Sequence, residues 1–238
     1  MDSAGLQRVA KARDSKRSDI LTYFAMLHLR GIRPPPFRLL PPETRADIKL
    51  LWTSYQNASE ASRHFLFDLG KPELIREACV SAPAGKLLPS DFYIHRSLET
   101  ELPTLLRVLF FVARQVVAEV EYNIVKVSLD GRKVSFLNYP QFDEEAHPEL
   151  LHSVRVHLPT ASYGIKDYSE SENPPILHRK ENFVDLLYPL FTHFASLTEQ
   201  EEAAGLLGRP DIGFKRQWNE ILSERKLQVV GHSLSQLG

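Results

Sequence analysis

Two stretches of the chain set a histidine beside an arginine directly after apolar residues: Tyr93-Ile94-His95-Arg96-Ser97 and Pro175-Ile176-Leu177-His178-Arg179-Lys180. An imidazole can donate a hydrogen bond or shuttle a proton near neutral pH, and a guanidinium offers a planar fork to phosphate or carboxylate. Lys86 precedes the first stretch in Gly85-Lys86-Leu87-Leu88-Pro89. If the two distant loops fold against each other, Lys86, Arg96, Arg179 and Lys180 form a phosphate-type anion pocket. His95 and His178 are then the candidates for general acid and base. The plainer alternative is that such residues cap carbonyls at element ends or pair with Glu99, Glu181 and Asp185. A third set, Asp143, His147 and His152 in FDEEAHPELLH, has the ligand types of a metal site, although a loop containing Pro148 more often carries them as surface residues. Tyr139, Tyr163 and Tyr168 can stack on bases, but strands favour tyrosine anyway.

What is missing is equally informative. No two glycines are separated by a single residue, so there is no G-x-G turn for a pyrophosphate or a methyl donor. Walker, H-E-x-x-H, G-x-S-x-G and C-x-x-C patterns are also lacking. The single cysteine, Cys79, rules out an internal disulfide and a four-cysteine zinc site. An independent methyltransferase, a nucleotide-dependent enzyme and a zinc protease are therefore not expected, and neither is a cofactor. The net charge of −1 hides an asymmetry of +5 over residues 1–45 against −6 over the rest. Arg8, Lys11, Arg13, Lys16 and Arg17 make residues 1–17 a basic, flexible arm, able to touch nucleic-acid phosphates or to remain a solvated tail. No apolar run resembles a signal peptide. The stretch Leu105–Val120 is broken by Arg107, Arg114 and Glu119, so no membrane contact and a cytoplasmic location are expected.

These residues need elements to hold them. Residues 18–238 read as a single α+β domain: helical over 18–122, sheet over 123–170, helical again over 183–226. Ser18 or Asp19 caps a helix to Arg30, with Ile20, Phe24 and Leu27 on its buried stripe. A second helix after Pro41-Pro42 carries Ile48, Leu51, Trp52 and Tyr55, with a weak middle at Asn57–Ser62. A helix from Pro103 to Val120 is apolar on most sides and is the expected central core helix. Asp130-Gly131 between Asn123–Leu129 and Arg132–Tyr139 is the strongest hairpin signal in the chain. A second strand pair spans Ser153–Leu158 and Tyr163–Tyr168. Together they predict a three- or four-stranded antiparallel sheet packed on the central helix. Thr198-Glu199-Gln200-Glu201 reads as a capping box that starts a helix to Leu207.

The pieces DIKLLWTSY, GKLLPSDFYIHRS, LPTLLRV, VKVSLDGRKVSFLNYPQFD, DYSESENPPILHRKENFV, FASLTEQEEAAGLL and GFKRQWNEIL occur in one order from Asp47 onward. In these pieces the chain resembles the C-terminal region of the DNA phosphorothioation-associated methyltransferase family. The resemblance implies a companion module in a bacterial DNA-modification setting, and the chain departs from the family in having no methyl-donor domain. It implies a non-catalytic accessory role, binding DNA, RNA or a methyltransferase-like protein through the arm and the His/Arg/Lys loops. Two alternatives stand beside it. One is an enzyme acting on a phosphate-bearing or other anionic substrate with His95 and His178 as acid and base. The other is a metal-dependent partner protein built on Asp143, His147 and His152.

Overall fold

The computed structural model describes residues 3–117 and 119–237, without the side chains of Ser3, Ala4, Gln7, Arg8 and Lys11. The arm cations Arg8 and Lys11 thus lie outside the described side chains. The fold is α+β with a helical N-terminal part. Contacts divide the span first read as one domain into two compact units: Met1–Ala82 with Thr100–Gln115 and Leu129–Gly131, and Pro83–Glu99 with Val116–Ser128 and Arg132–Gly238.

The first unit holds α1 (Ser3–Leu29), α2 (Pro42–Trp52), α3 (Tyr55–Asp68), α4 (Pro72–Val80) and α5 (Thr104–Val116). Where the sequence suggests a flexible arm, α1 already runs from Ser3, in a segment rich in the helix formers Ala, Leu, Gln, Lys and Arg. Two of the arm's cations are engaged within this unit. The Lys16 ammonium donates to Asp47 at 2.8 Å, and the Arg17 guanidinium lies 4.1 Å from the Trp52 ring centroid. Arg13 is exposed. The stripe of α1 packs as Ile20 and Phe24 against Leu40, Ile48, Leu51, Trp52 and Ala58. The break expected within Asn57–Ser62 falls earlier, at Thr53, whose φ is +63°. There Ser54 caps α3 by accepting from the Asn57 N–H at 3.0 Å. The apolar α5 groups with these helices, with Arg107 donating to Asp19 at 2.7 Å.

The second unit is built on β1 (Lys86–Leu87), β2 (Asp91–His95), β3 (Ile124–Ser128), β4 (Lys133–Asn138), β5 (His152–His157) and β6 (Ser162–Asp167). They form one six-stranded antiparallel sheet in chain order, larger than the three or four strands expected. The two extra strands come from GKLLP and DFYIH, which pair Lys86 with Tyr93 and are too short to reveal an alternation on their own. Rows such as Phe92, Val127, Val134 and Val156 define the apolar face, as a period of two requires. The sheet is followed by α6 (Phe191–Ala203), α7 (Lys215–Glu224) and the hairpin β7 (Leu227–Val230) and β8 (Ser233–Gln236). The capping-box reading of Thr198 does not hold. Thr198 lies in mid-helix, and its hydroxyl donates to Glu181 at 3.0 Å. Among the described residues no helix is long and apolar enough to cross a membrane.

Candidate metal centre

The segments on either side of the sheet's last hairpin meet again in an isolated antiparallel bridge. Glu149 pairs antiparallel with Ile176, Leu150 N–H donates to Pro175 O at 2.8 Å, and Leu177 N–H donates to Pro148 O at 3.1 Å. Continuing that register by two residues sets His147 opposite His178. The imidazoles do meet: their ring centroids are 4.4 Å apart, and Trp218 of α7 packs on both at 4.7 and 4.6 Å. From α6, Glu201 reaches the same point. Among the described residues, one donor atom each from His147, His178 and Glu201 lies within 4.8 Å of the other two.

The hydrogen bonding of this triad is incomplete in a specific way. His178 Nε2–H donates to Ile212 O at 2.8 Å, which leaves Nδ1 bare, and Nδ1 is buried with no hydrogen bond within the protein. Glu201 is 1% exposed, and its Oε1 likewise accepts no hydrogen bond. His147 Nε2 lies only 2.7 Å from that oxygen, so the contact is close without being aligned as a hydrogen bond. Burial pushes His147 down to about 3 and His178 down to about 4, so both are neutral imidazoles at ordinary pH. Burial pushes Glu201 up to about 7, outweighing the opposing pull of His178 and Arg179. Two neutral imidazoles and a carboxylate, with one imidazole steered by a backbone carbonyl on its far nitrogen, form a donor set that zinc and its neighbours take. Metal–ligand bonds of about 2.0–2.2 Å place tetrahedral donors roughly 3.3–3.5 Å apart, so the spacing found here needs only small side-chain rotations to fit.

The other predicted residues sit around this centre in various states. Asp143 and His152 do not join His147. Asp143 accepts from Tyr188 O–H at 2.8 Å, and His152 Nε2 donates to Glu121 O at 3.0 Å. His95 is buried, stacked on Phe142 with centroids 4.6 Å apart, and its Nδ1 lies 2.8 Å from Ser97 Oγ. Burial pushes it down to about 4. Lys180 meets the other side of Phe142: its Nζ donates to Phe142 O at 2.7 Å, to Glu145 O at 2.5 Å and lies 3.1 Å from His232 Nε2. Three acceptors match the three N–H bonds of an ammonium, although burial lowers the group to about 7. The two flagged loops therefore do approach one another, through Phe142. The cations they bring are committed, however. Lys180 is 2% exposed, Arg179 is ion-paired with Glu202, and Arg96 donates to Tyr122 O at 3.3 Å. Lys86 is half-buried, held below its ordinary range first by burial and then by Arg179.

No family model, curated protein or solved structure matches this chain. The centre is thus read from its own geometry. Sequence reasoning had flagged His147 and His178 but in different sets, and it missed Glu201 and Trp218. A signal for Glu201 was present. It occupies the buried stripe Phe194, Leu197, Thr198, Glu201, where a helix in a core carries an apolar residue.

Proposed function

We propose that the C-terminal unit is a metal-dependent module whose centre is His147, His178 and Glu201, with zinc the metal of best fit. The observation that carries this reading is the pair of buried acceptors, His178 Nδ1 and Glu201 Oε1, that accept no hydrogen bond and lie within reach of His147, whose Nε2 is 2.7 Å from Glu201 Oε1. A buried polar atom without a hydrogen bond costs about 1–3 kcal/mol, so two at one point call for a common ligand. Three protein donors rather than four are the pattern of a centre with an open position, where a bound metal acts as a Lewis acid and makes a water nucleophilic. A cavity of about 560 Å³ lies against the centre, lined by His147 and Trp218 and by Glu144, Glu145, Glu149 and Lys215. Its acidic rim favours a neutral or cationic substrate over a phosphate, and hydrolysis by activated water is the reaction class that the donor set suits.

Within this reading His178 is a ligand and not an acid or base. Its Nε2–H, tied to Ile212 O, fixes which nitrogen faces the metal. Trp218 limits water access from the α7 side. The second reading, an accessory module binding nucleic acid in a DNA-modification setting, draws on the family resemblance and on a different surface, taken up below. Cobalt titration tests the metal reading. The chain should take up a single equivalent with the visible bands of a four-coordinate ion, and Glu201→Gln and His178→Ala should each lose them. Absence of saturable uptake by the unaltered chain would remove the centre.

A further inference from the structure

The face of the sheet opposite the valine rows is covered at Tyr93, Ile124 and Leu137 by the cluster of Phe142, Phe183 and Phe194, and is exposed farther along at Lys133, Arg155 and Lys166. Strand register places Lys133 opposite His157, Ser135 opposite Arg155 and Leu137 opposite Ser153. It continues to β6 with Arg155 opposite Gly164, Ser153 opposite Lys166 and His157 opposite Ser162. Lys133, Arg155 and Lys166 thus fall on one diagonal crossing three strands, each step a diagonal neighbour at about 7–8 Å. All three are exposed, and among the described residues none has an acidic side chain within ion-pair distance. The contrast on the same face is Lys126, which is neutralised by Asp91 at 3.2 Å. Gly164 lies directly opposite Arg155, beside the diagonal, and nothing stands within 4 Å of where its Cβ would be, so a ligand can approach the backbone there. Tyr168 follows on this face, half-buried against the core cluster of Tyr139 and Leu150 with part of it lining the groove, and Lys166 Nζ lies 4.7 Å from its ring centroid. A groove of about 560 Å³ runs along Arg155, Gly164, Lys166 and Tyr168, with Lys133 outside it on the neighbouring strand.

We infer that this diagonal binds a single-stranded nucleic acid, independently of the metal centre. A lone phosphate is gripped by cations that converge on one point, whereas these are strung out in a line, which matches a linear polyanion. Of linear polyanions, the one with flat apolar groups between its charges also uses Tyr168, because bases stack on aromatic side chains regardless of sequence. Hydroxyls of Ser162 and Thr160, with His157 Nδ1 2.8 Å from Thr160 Oγ1, add hydrogen-bonding groups at one end of the groove, and Ser153 adds another beside Lys166.

Fluorescence anisotropy of the full chain with labelled single-stranded DNA and RNA oligonucleotides, over a range of salt, tests this. Each phosphate contact contributes about 0.7 to the slope of log K against log salt for single strands. Replacing Lys133, Arg155 and Lys166 together by Gln should lower the slope by about 2 and weaken binding at low salt by about tenfold or more. Tyr168→Leu should weaken binding with the slope unchanged, and His178→Ala should leave it intact. Because the three cations are exposed, circular dichroism of the triple variant should match the parent. No binding at low salt overturns the inference. So does binding that survives the triple variant, which would shift it to Arg13 and the rest of α1. Equal affinity for poly-glutamate and for the oligonucleotides also overturns it, since that marks charge attraction without a role for bases.

Discussion

Glu201 is the residue on which chemistry and stability pull in opposite directions. Its carboxylate is 1% exposed, one oxygen lacks a hydrogen bond, and burial holds its pKa at about 7. A group whose pKa is raised on folding binds more protons in the folded than in the unfolded state, so its cost grows as pH climbs from its unfolded value through about 7. At pH 8 without metal, Glu201→Gln should therefore stabilise the protein, by about 1–3 kcal/mol. With zinc at about a hundred times its dissociation constant, the unaltered chain should gain about 2.7 kcal/mol and the variant nothing. Urea unfolding with chelator and with zinc gives both numbers. A residue that merely packs would not reverse sign between the two conditions. Lys180 shows the opposite condition, a buried amine held by Phe142 O, Glu145 O and His232 Nε2, and this is why it belongs to the scaffold of the centre rather than to an anion pocket.

At the scale of elements, a single bridged pair does the positioning. Glu149 opposite Ile176 sets His147 opposite His178, and a slip of one residue turns every side chain to the other face. Inserting a glycine between Glu149 and Leu150 should abolish cobalt uptake, while an insertion in the exposed turn at Ser169–Ser171 should not. Uptake retained after the first insertion would show that the bridge does not position the histidines. Elements with a strong period were legible in the sequence. Strands β3 to β6 were read to within a residue or two because valine alternation and Asp130-Gly131 leave little choice. α6 was misread because a Thr-x-x-Glu pattern looks the same at a helix start and on a helix interior, and only burial tells them apart. The strand character of GKLLP, and the closing strand β8, depend on pairing with a neighbour rather than on local preference. The same limit applies to the site. His147 and His178 were each conspicuous, but an isolated bridge between loops has no periodic signature, so nothing in the sequence joined them.

At the scale of the whole molecule, charge counted along the chain misplaces the basic surface. The first 45 residues hold the excess of cations, yet Lys16 and Arg17 are engaged inside their own unit, whereas the diagonal of Lys133, Arg155 and Lys166 lies in the part that is net acidic. The metal centre in turn sits at a seam. Ile176 belongs to one hydrophobic cluster with Leu206, Trp218 and Ile221, and the next residue, Leu177, to another with Phe142, Phe183 and Phe194. Polar groups at such a seam are expensive unless something joins them, and a cation held from His147, His178 and Glu201 would tie α6 to the two bridged loops. The most direct test is a crystal grown with zinc and measured on both sides of the zinc absorption edge. The prediction is one anomalous peak about 2.0–2.2 Å from His147 Nε2, His178 Nδ1 and a Glu201 oxygen. An ordered triad with no peak between its three donors, or with His178 Nδ1 hydrogen-bonded to some other group, would contradict it.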